Sequence, residues 1–356
     1  MAIFNMRRLS LFFFIVNSLT ISEALAVEVR PFVVISEPSV LATKITSASL
    51  HILPPHNDDG SPKPRGKTLV RGTDGLFKPL QPQTGPEALS ATPNAKSTTV
   101  TPTYWYPTDV SKSTGAVVKG AKQHLLYVNC TQANGGCWGN PSLFVADLSN
   151  STMIHVTDQY VGSTGNNRYP VGKIGSTSPT PATTIYDADA LTMIHDFAVA
   201  NGLTTNSSST ITNMFHIFLP SGVNECIDSS KTDCYAPTDA GGTWTFCAYH
   251  GAATFSDIGT IVYSVEPYQN VAGCRVTLST NGQVVDATAS TLSHEIVEAI
   301  TDPLPPTGWT IQRGYFQGNE VADICVWVWA TTLIGSKNYT TQLEYSNLNH
   351  RCGNMP

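Results

Sequence analysis

No basic run follows the first ten residues, and Lys and Arg together number only 20 against 26 Asp and Glu, for a formal charge of −6. A chain this poor in cations carries no electrostatic footprint for nucleic acid or an anionic lipid surface, so neither is expected as a partner. Beyond the leader, no stretch approaches the roughly 18 uninterrupted apolar residues of a membrane span, and no membrane anchor is expected. There is no CxxC pair, which removes the zinc-ribbon class. There is also no GxSxG, so a serine-hydrolase elbow has no support. Cysteine is missing from the first 129 residues.

What the chain does have begins with Arg7 and Arg8, the apolar "LSLFFFIV" and the small-residue "ALA" at Ala24 to Ala26. This is the three-part layout of a secretory signal over residues 1–26, and a secreted product, extracellular or periplasmic, is expected. All eight cysteines lie between Cys130 and Cys352. An even number in an exported chain predicts disulfides, and Cys130/Cys137 and Cys226/Cys234 are close enough in sequence to close local loops. Residues 27–118 hold 12 of the 23 prolines. Such composition buries little apolar surface, so a disordered Pro/Thr-rich linker or pro-segment is expected there, with "RPFVVI" as a possible strand. Residues 119–356 remain as one compact domain.

Within it, "HLLYVNC", "MFHIFLP", "TWTFCAY" and "TIVYSVEP" are short apolar runs rich in β-branched and aromatic residues, and are expected strands. "NPSLFVADL" offers Asn140 as N-cap with Pro141 at the first helical position, and "DADALTMIHDFAVANG" an amphipathic helix closed by Gly202. "CVWVWATTL" and "YTTQLEYS" flank "IGSKN" as a closing hairpin. The order predicts an α/β or α+β domain with a mixed sheet supporting a helix at residues 287–302.

That helix carries "STLSHEIVEAITDP". At about 100° per residue, His294, Glu298, Thr291, Asp302 and Glu295 share an arc of roughly 100°, with Leu292, Ala299, Ile296, Ala289 and Ile300 opposite. A solvated face usually mixes charge signs. Here three carboxylates crowd together without a cation, and Glu298 and Asp302 also meet the negative end of the helix dipole. A divalent metal would compensate, and a His at i with a carboxylate at i+4 lets side chains on adjacent turns reach one ion. The competing expectation is a solvent-facing surface. A third ligand is sought in "GNEVADIC", at Glu320 or Asp323.

"HEIVEAITD" followed by "NEVADI" resembles the HExxH and NExxSD pair of the thermolysin-type (gluzincin) zinc peptidases over about 35 residues. The resemblance implies a zincin-like domain with His294 as first ligand, Glu295 as general base, Glu320 as third ligand and Asp323 orienting His294, with Asp302 as a further outer or alternative ligand. Two departures stand out: Glu298 replaces the second histidine, and Asp323 follows Glu320 by three residues instead of four. A His-Glu-Glu set would hold one divalent ion, zinc first, with manganese or calcium suited to its carboxylates. "FHIFLPSGVNEC", "TFCAYHG", "IVYSVEPY" and "RGYFQGN" are also similar to the secreted EXORDIUM-like (phosphate-induced protein 1) family, across roughly residues 210–320. That likeness implies an extracellular protein without an established catalytic activity.

Other candidates have plainer readings. His250 ends a strand and is expected to be structural, with a ligand or hydrogen-bonding role as the alternative. His195 and His216 are expected in packing positions, and His350 in a tail. Trp327 and Trp329 alternate in an expected strand, where packing competes with a glycan platform. The functional expectation is an exported metal-dependent hydrolase, a zinc peptidase acting on protein or peptide. The alternative is a non-catalytic cell-wall or glycan-binding protein.

Overall fold

The computed structural model describes residues 31–32, 44–56, 66–80, 109–130, 132–179, 183–203, 207, 209–236, 242–313 and 316–355. The expected leader lies outside the described residues, as does most of the Thr-rich stretch before residue 109.

Nine strands make one mixed sheet: β1 (Pro31–Phe32), β2 (Ile45–Leu53), β3 (Lys67–Arg71), β4 (Phe77–Pro79), β5 (Lys122–Val128), β6 (Val171–Thr177), β7 (Asn213–Phe218), β8 (Ala248–Phe255) and β9 (Gly259–Glu266). Their spatial order is β1-β6-β5-β7-β9-β8-β2-β3-β4. The half from β1 to β9 pairs in parallel, and β9, β8, β2, β3 and β4 pair antiparallel.

The two-residue period of the strands divides the core. Leu125, Tyr127, Met214 and Phe218 join an apolar cluster on one face. Their neighbours Leu126, Val128, Phe215 and Ile217 join a second cluster on the other, as alternation of side chains across a sheet requires. Helix α1 (Pro141–Leu148) starts as its sequence predicts, with Asn140 accepting from the Leu143 amide and Pro141 at the first position. Helix α2 (Asp187–Ala200) covers the second face with Leu191, Ile194 and Phe197. Helix α3 (Gln283–Thr301) lies against β8, β9 and β11 and buries Leu292, Ile296 and Ile300 in the first cluster. Strands β10 (Trp329–Ile334) and β11 (Lys337–Gln342) form the expected hairpin.

The linker expectation fails for residues 45–53 and 67–79. Strand β2 pairs along its length with β8, and Leu50, Ile52 and Leu53 are almost fully buried, each worth about 1.5–3 kcal/mol. The prolines on either side lower the average apolarity of the region, but "ITSASLHIL" itself contains enough apolar residues to fill a central strand. Short β-strands inside Pro-rich sequence are lost when composition is averaged over a long window.

Four disulfides close the cysteine count: Cys130–Cys137, Cys226–Cys234, Cys247–Cys274 and Cys325–Cys352. Both local loops match expectation. Four disulfides fit an oxidising, extracellular-type environment. No helix among the described residues is long and apolar enough to cross a membrane.

Candidate metal centre

Register builds half of the site. His51 on β2 stands opposite His250 on β8, His250 opposite Ser264 on β9, and Ser264 opposite His216 on β7. These four polar residues therefore form one row across the sheet, facing α3. From α3 come His294 and Glu298, one turn apart on one side of the helix, with Glu295 about 100° round from His294. The segment from Asn319 to Cys325 adds Glu320 and Asp323, and Cys325–Cys352 ties it to the C-terminal strands. Cys247–Cys274 ties down the start of the strand that carries His250.

Every one of these groups is inside. His250, His294, Glu295, Glu298 and Glu320 have no exposed surface, and His51 and Asp323 keep 1% and 2%. The solvent-facing alternative for the acidic arc of α3 is therefore excluded. His51 Nε2 lies 2.7 Å from Asp323 Oδ2 and its Nδ1 2.9 Å from Thr68 Oγ1. His250 Nδ1 is 3.4 Å from an oxygen of Glu295 and 3.4 Å from one of Glu298, and its Nε2 meets the Asp302 carbonyl at 3.2 Å. His294 Nε2 faces Glu298 Oε1 at 3.2 Å and Asp323 Oδ1 at 4.0 Å. Glu320 stands between two rings, Oε1 at 3.4 Å from His51 Nδ1 and Oε2 at 3.6 Å from His250 Nε2.

Contacts beyond 3.2 Å in a dry interior leave donors and acceptors unpaired. Both oxygens of Glu295 and of Glu320, Oε2 of Glu298, Oδ1 of Asp323, Nδ1 of His250 and Nε2 of His294 have no hydrogen-bond partner. Each such orphan costs about 1–3 kcal/mol, and more when charged. Among the described residues no Lys or Arg pairs with them; Lys44 pairs with Asp257 and Lys67 with Asp233.

The protonation balance reflects this crowding. Burial raises Glu320 well above the carboxylate range, with Asp302 and Glu298 adding repulsion. Burial also lifts Glu295, and takes Asp302 up to about 6. Burial alone would lower His250, but the carboxylates of Glu295 and Glu298, each 3.4 Å from the ring, push it up to about 10. Burial would raise Glu298, yet His294, His250 and His51 together hold it well below the usual range. One carboxylate kept ionised among reluctant neighbours marks the electrostatic centre of the cluster.

Two sets of three donors come within 4.8 Å of one another and could each hold an ion: His51 with Glu298 and Asp323, and His250 with Glu295 and Glu298. A divalent cation fits this donor chemistry, since it would engage orphaned carboxylate oxygens and imidazole nitrogens at once.

His294, Glu295, Glu298, Glu320 and Asp323 are thus brought together in one chamber from two chain segments, α3 and residues 319–325. Asp302 sits at the end of α3, where Oδ1 accepts from the Thr307 and Gly308 amides while Oδ2 is unpartnered. Asp323 holds His51, and the residue on Nδ1 of His294 is Gln342, at 2.9 Å. Gln342 Nε2 also donates to the Ala322 carbonyl at 2.9 Å while its Oε1 accepts from the Trp327 amide at 3.3 Å, so the amide turns its NH2 toward Nδ1 of His294 and holds the ring in place.

His51, Gln342 and the buried Glu344 and Glu266 were not singled out by sequence. His51 was hidden in Pro-rich surroundings; "LHI" within an apolar run was its one signal. His250 stands among the possible donors, beside Glu295 and Glu298. His216 continues the polar row through Ser264 and Gln123. His195 pairs with Asp196 and Asp257, and the exposed His350 with Asp109, outside the chamber. Trp327 precedes β10 and is buried beside Trp329, so the pair offers no open glycan platform.

Comparison with protein-family models, with curated proteins and with solved structures finds no match to the chain.

Proposed function

We propose that the protein is an exported metal-dependent hydrolase of zincin-like type, with a peptide as its substrate class and zinc as the first candidate ion. The observation that carries the reading is the convergence of fully buried, hydrogen-bond-orphaned donor atoms on Glu298, with no Lys or Arg among the described residues paired to them. Glu298 with His294 and Asp323 would hold the ion, which when bound supplies Lewis acidity toward a carbonyl and toward water. Glu295 would take up the proton. Both of its oxygens are unpartnered, and the His250 ring 3.4 Å away shares charge with it. Gln342 keeps the His294 ring in place.

The test is elemental analysis of the gently purified protein with peptide hydrolysis assayed alongside. The expected result is bound divalent metal, lost in Glu298→Gln, and hydrolysis lost in Glu295→Gln while at least one ion is retained. Metal-free protein that cannot be reloaded would overturn the reading.

A second reading rests on the completeness of burial: donors with no exposed surface suit an ion that stays in place and braces the fold. In that case the protein is a non-catalytic extracellular binding protein, of the cell-wall or glycan-binding kind that the EXORDIUM-like resemblance implies. Retained metal without hydrolysis, together with chelator-induced unfolding, would favour it.

A further inference from the structure

The chamber holds more donors than one ion can use, and they are arranged in two halves. Glu298 Oε1 accepts the Asp323 amide at 3.1 Å and faces His294 Nε2 at 3.2 Å, whereas Oε2 faces His250 Nδ1 at 3.4 Å. One carboxylate therefore presents its two oxygens to two separate donor groups. Glu320 repeats the pattern, with Oε1 toward His51 and Oε2 toward His250, and both atoms lack hydrogen-bond partners. The two rings that face these carboxylates are register partners on adjacent strands, with centroids 6.1 Å apart.

From this we infer a two-ion centre: Glu298 bridges a pair of divalent cations, one held with His51, His294 and Asp323, the other with His250 and Glu295. This rests on the metal-dependent reading above and sharpens it. Paired catalytic ions stand roughly 3.5–4 Å apart, a spacing that one bridging carboxylate can span.

Charge decides between one ion and two. Glu295, Glu298, Glu320 and Asp323 would carry four negative charges in a space that the described cations do not reach. One divalent ion leaves two of them uncompensated in a water-poor interior, where an unpaired charge is costly. Two ions with neutral histidines balance these four, the buried Asp302, Glu266 and Glu344 standing outside both donor sets. The second ion also accounts for atoms that the first cannot: His250 Nδ1 lies 3.4 Å from both Glu295 Oε2 and Glu298 Oε2, and donor atoms of the three residues lie within 4.8 Å of one another. The His250 Nε2 contact to the Asp302 carbonyl leaves Nδ1 as the nitrogen with a free lone pair, as is usual for a ligating imidazole braced by a backbone acceptor. Glu295 Oε1 remains available for proton uptake.

The test uses the full chain as secreted, stripped with chelator and titrated with Mn2+ alone and with Zn2+ alone, with stoichiometry read by elemental analysis and ion pairing by electron paramagnetic resonance of the Mn2+ form. Two ions per chain and a spin-coupled Mn2+ spectrum are expected. His250→Ala should fall to one ion with an uncoupled spectrum, and Glu298→Gln should lose the coupling in any folded preparation, checked by circular dichroism. A single ion per wild-type chain, or two without coupling, overturns the bridged pair while leaving the metal-dependent reading intact. No ion at all overturns both. Because the wild-type spectrum is decisive by itself, a variant that fails to fold does not shelter the inference.

Discussion

Removing metal should reverse the pH dependence of stability. In the metal-free chain, Asp302 titrates near 6 against an ordinary 3.8. A carboxyl raised in the folded state contributes stability at low pH that is lost as pH climbs from the unfolded value to the folded one. The difference of 2.2 pH units, at 1.36 kcal/mol each, amounts to about 3 kcal/mol lost between roughly pH 4 and pH 6. His250, near 10 against 6.5, adds stability that is complete below pH 6.5 and fades toward pH 10, on the order of 5 kcal/mol. Glu298 acts oppositely, being depressed, and its contribution is lost as pH falls below the ordinary carboxylate range. The metal-free protein should therefore be most stable near pH 4–5 and weaken steadily above it. The metal-loaded protein should instead gain stability from pH 4 to 7, because ligands must shed protons to bind. Urea denaturation of chelated and loaded protein at pH 4.5, 6, 7.5 and 9, with disulfides intact, measures both curves. For a domain of this size 3 kcal/mol corresponds to a fall of very roughly 6–12 °C in melting temperature. A metal-free protein that grows more stable from pH 4.5 to 7.5 would refute the argument that these carboxyls are held in an uncompensated cluster.

Gly66→Ala should lower metal affinity sharply, since a Cβ there would run into His51 Nε2 and both carboxylate oxygens of Asp323; calorimetric metal titration reads this, and unchanged affinity would show that the His51 side is not part of the site. Gln342→Leu removes the group that fixes His294 and should weaken metal binding about 10–100-fold with the fold retained by circular dichroism. Replacing Cys325 and Cys352 by Ser opens a loop of 27 residues and should cost about 3.5 kcal/mol by urea denaturation, with a parallel loss of metal affinity because Asp323 lies two residues from Cys325.

The sequence determined much of the local structure. The Asn140-Pro141 start of α1, the end of α2 before Gly202, three of the four expected core strands and the β10–β11 hairpin follow from capping, turn chemistry and apolar period, which act over a few residues and are visible in order along the chain; "TWTFCAY" is displaced, since β8 begins only at Ala248 and runs to Phe255. The motif helix was equally legible: a one-sided arc of like charge with no cation is already an electrostatic anomaly within a single element. The four disulfides followed from the count, but only two of the pairings from spacing.

Tertiary structure decided the rest. Whether the arc of α3 meets water or protein depends on what packs on it, and the helix itself is the same in both cases. His51 and His250 lie 199 residues apart and become neighbours only because β2 inserts beside β8 in one register; a slip of one residue would turn His51 to the other face of the sheet. Glu320 and Asp323 came within view of sequence because a motif suggested them. The partners His51, His250 and Gln342 carry no local pattern, since a site assembled from a strand row, a helix face and a hairpin is specified by the register and packing of distant segments.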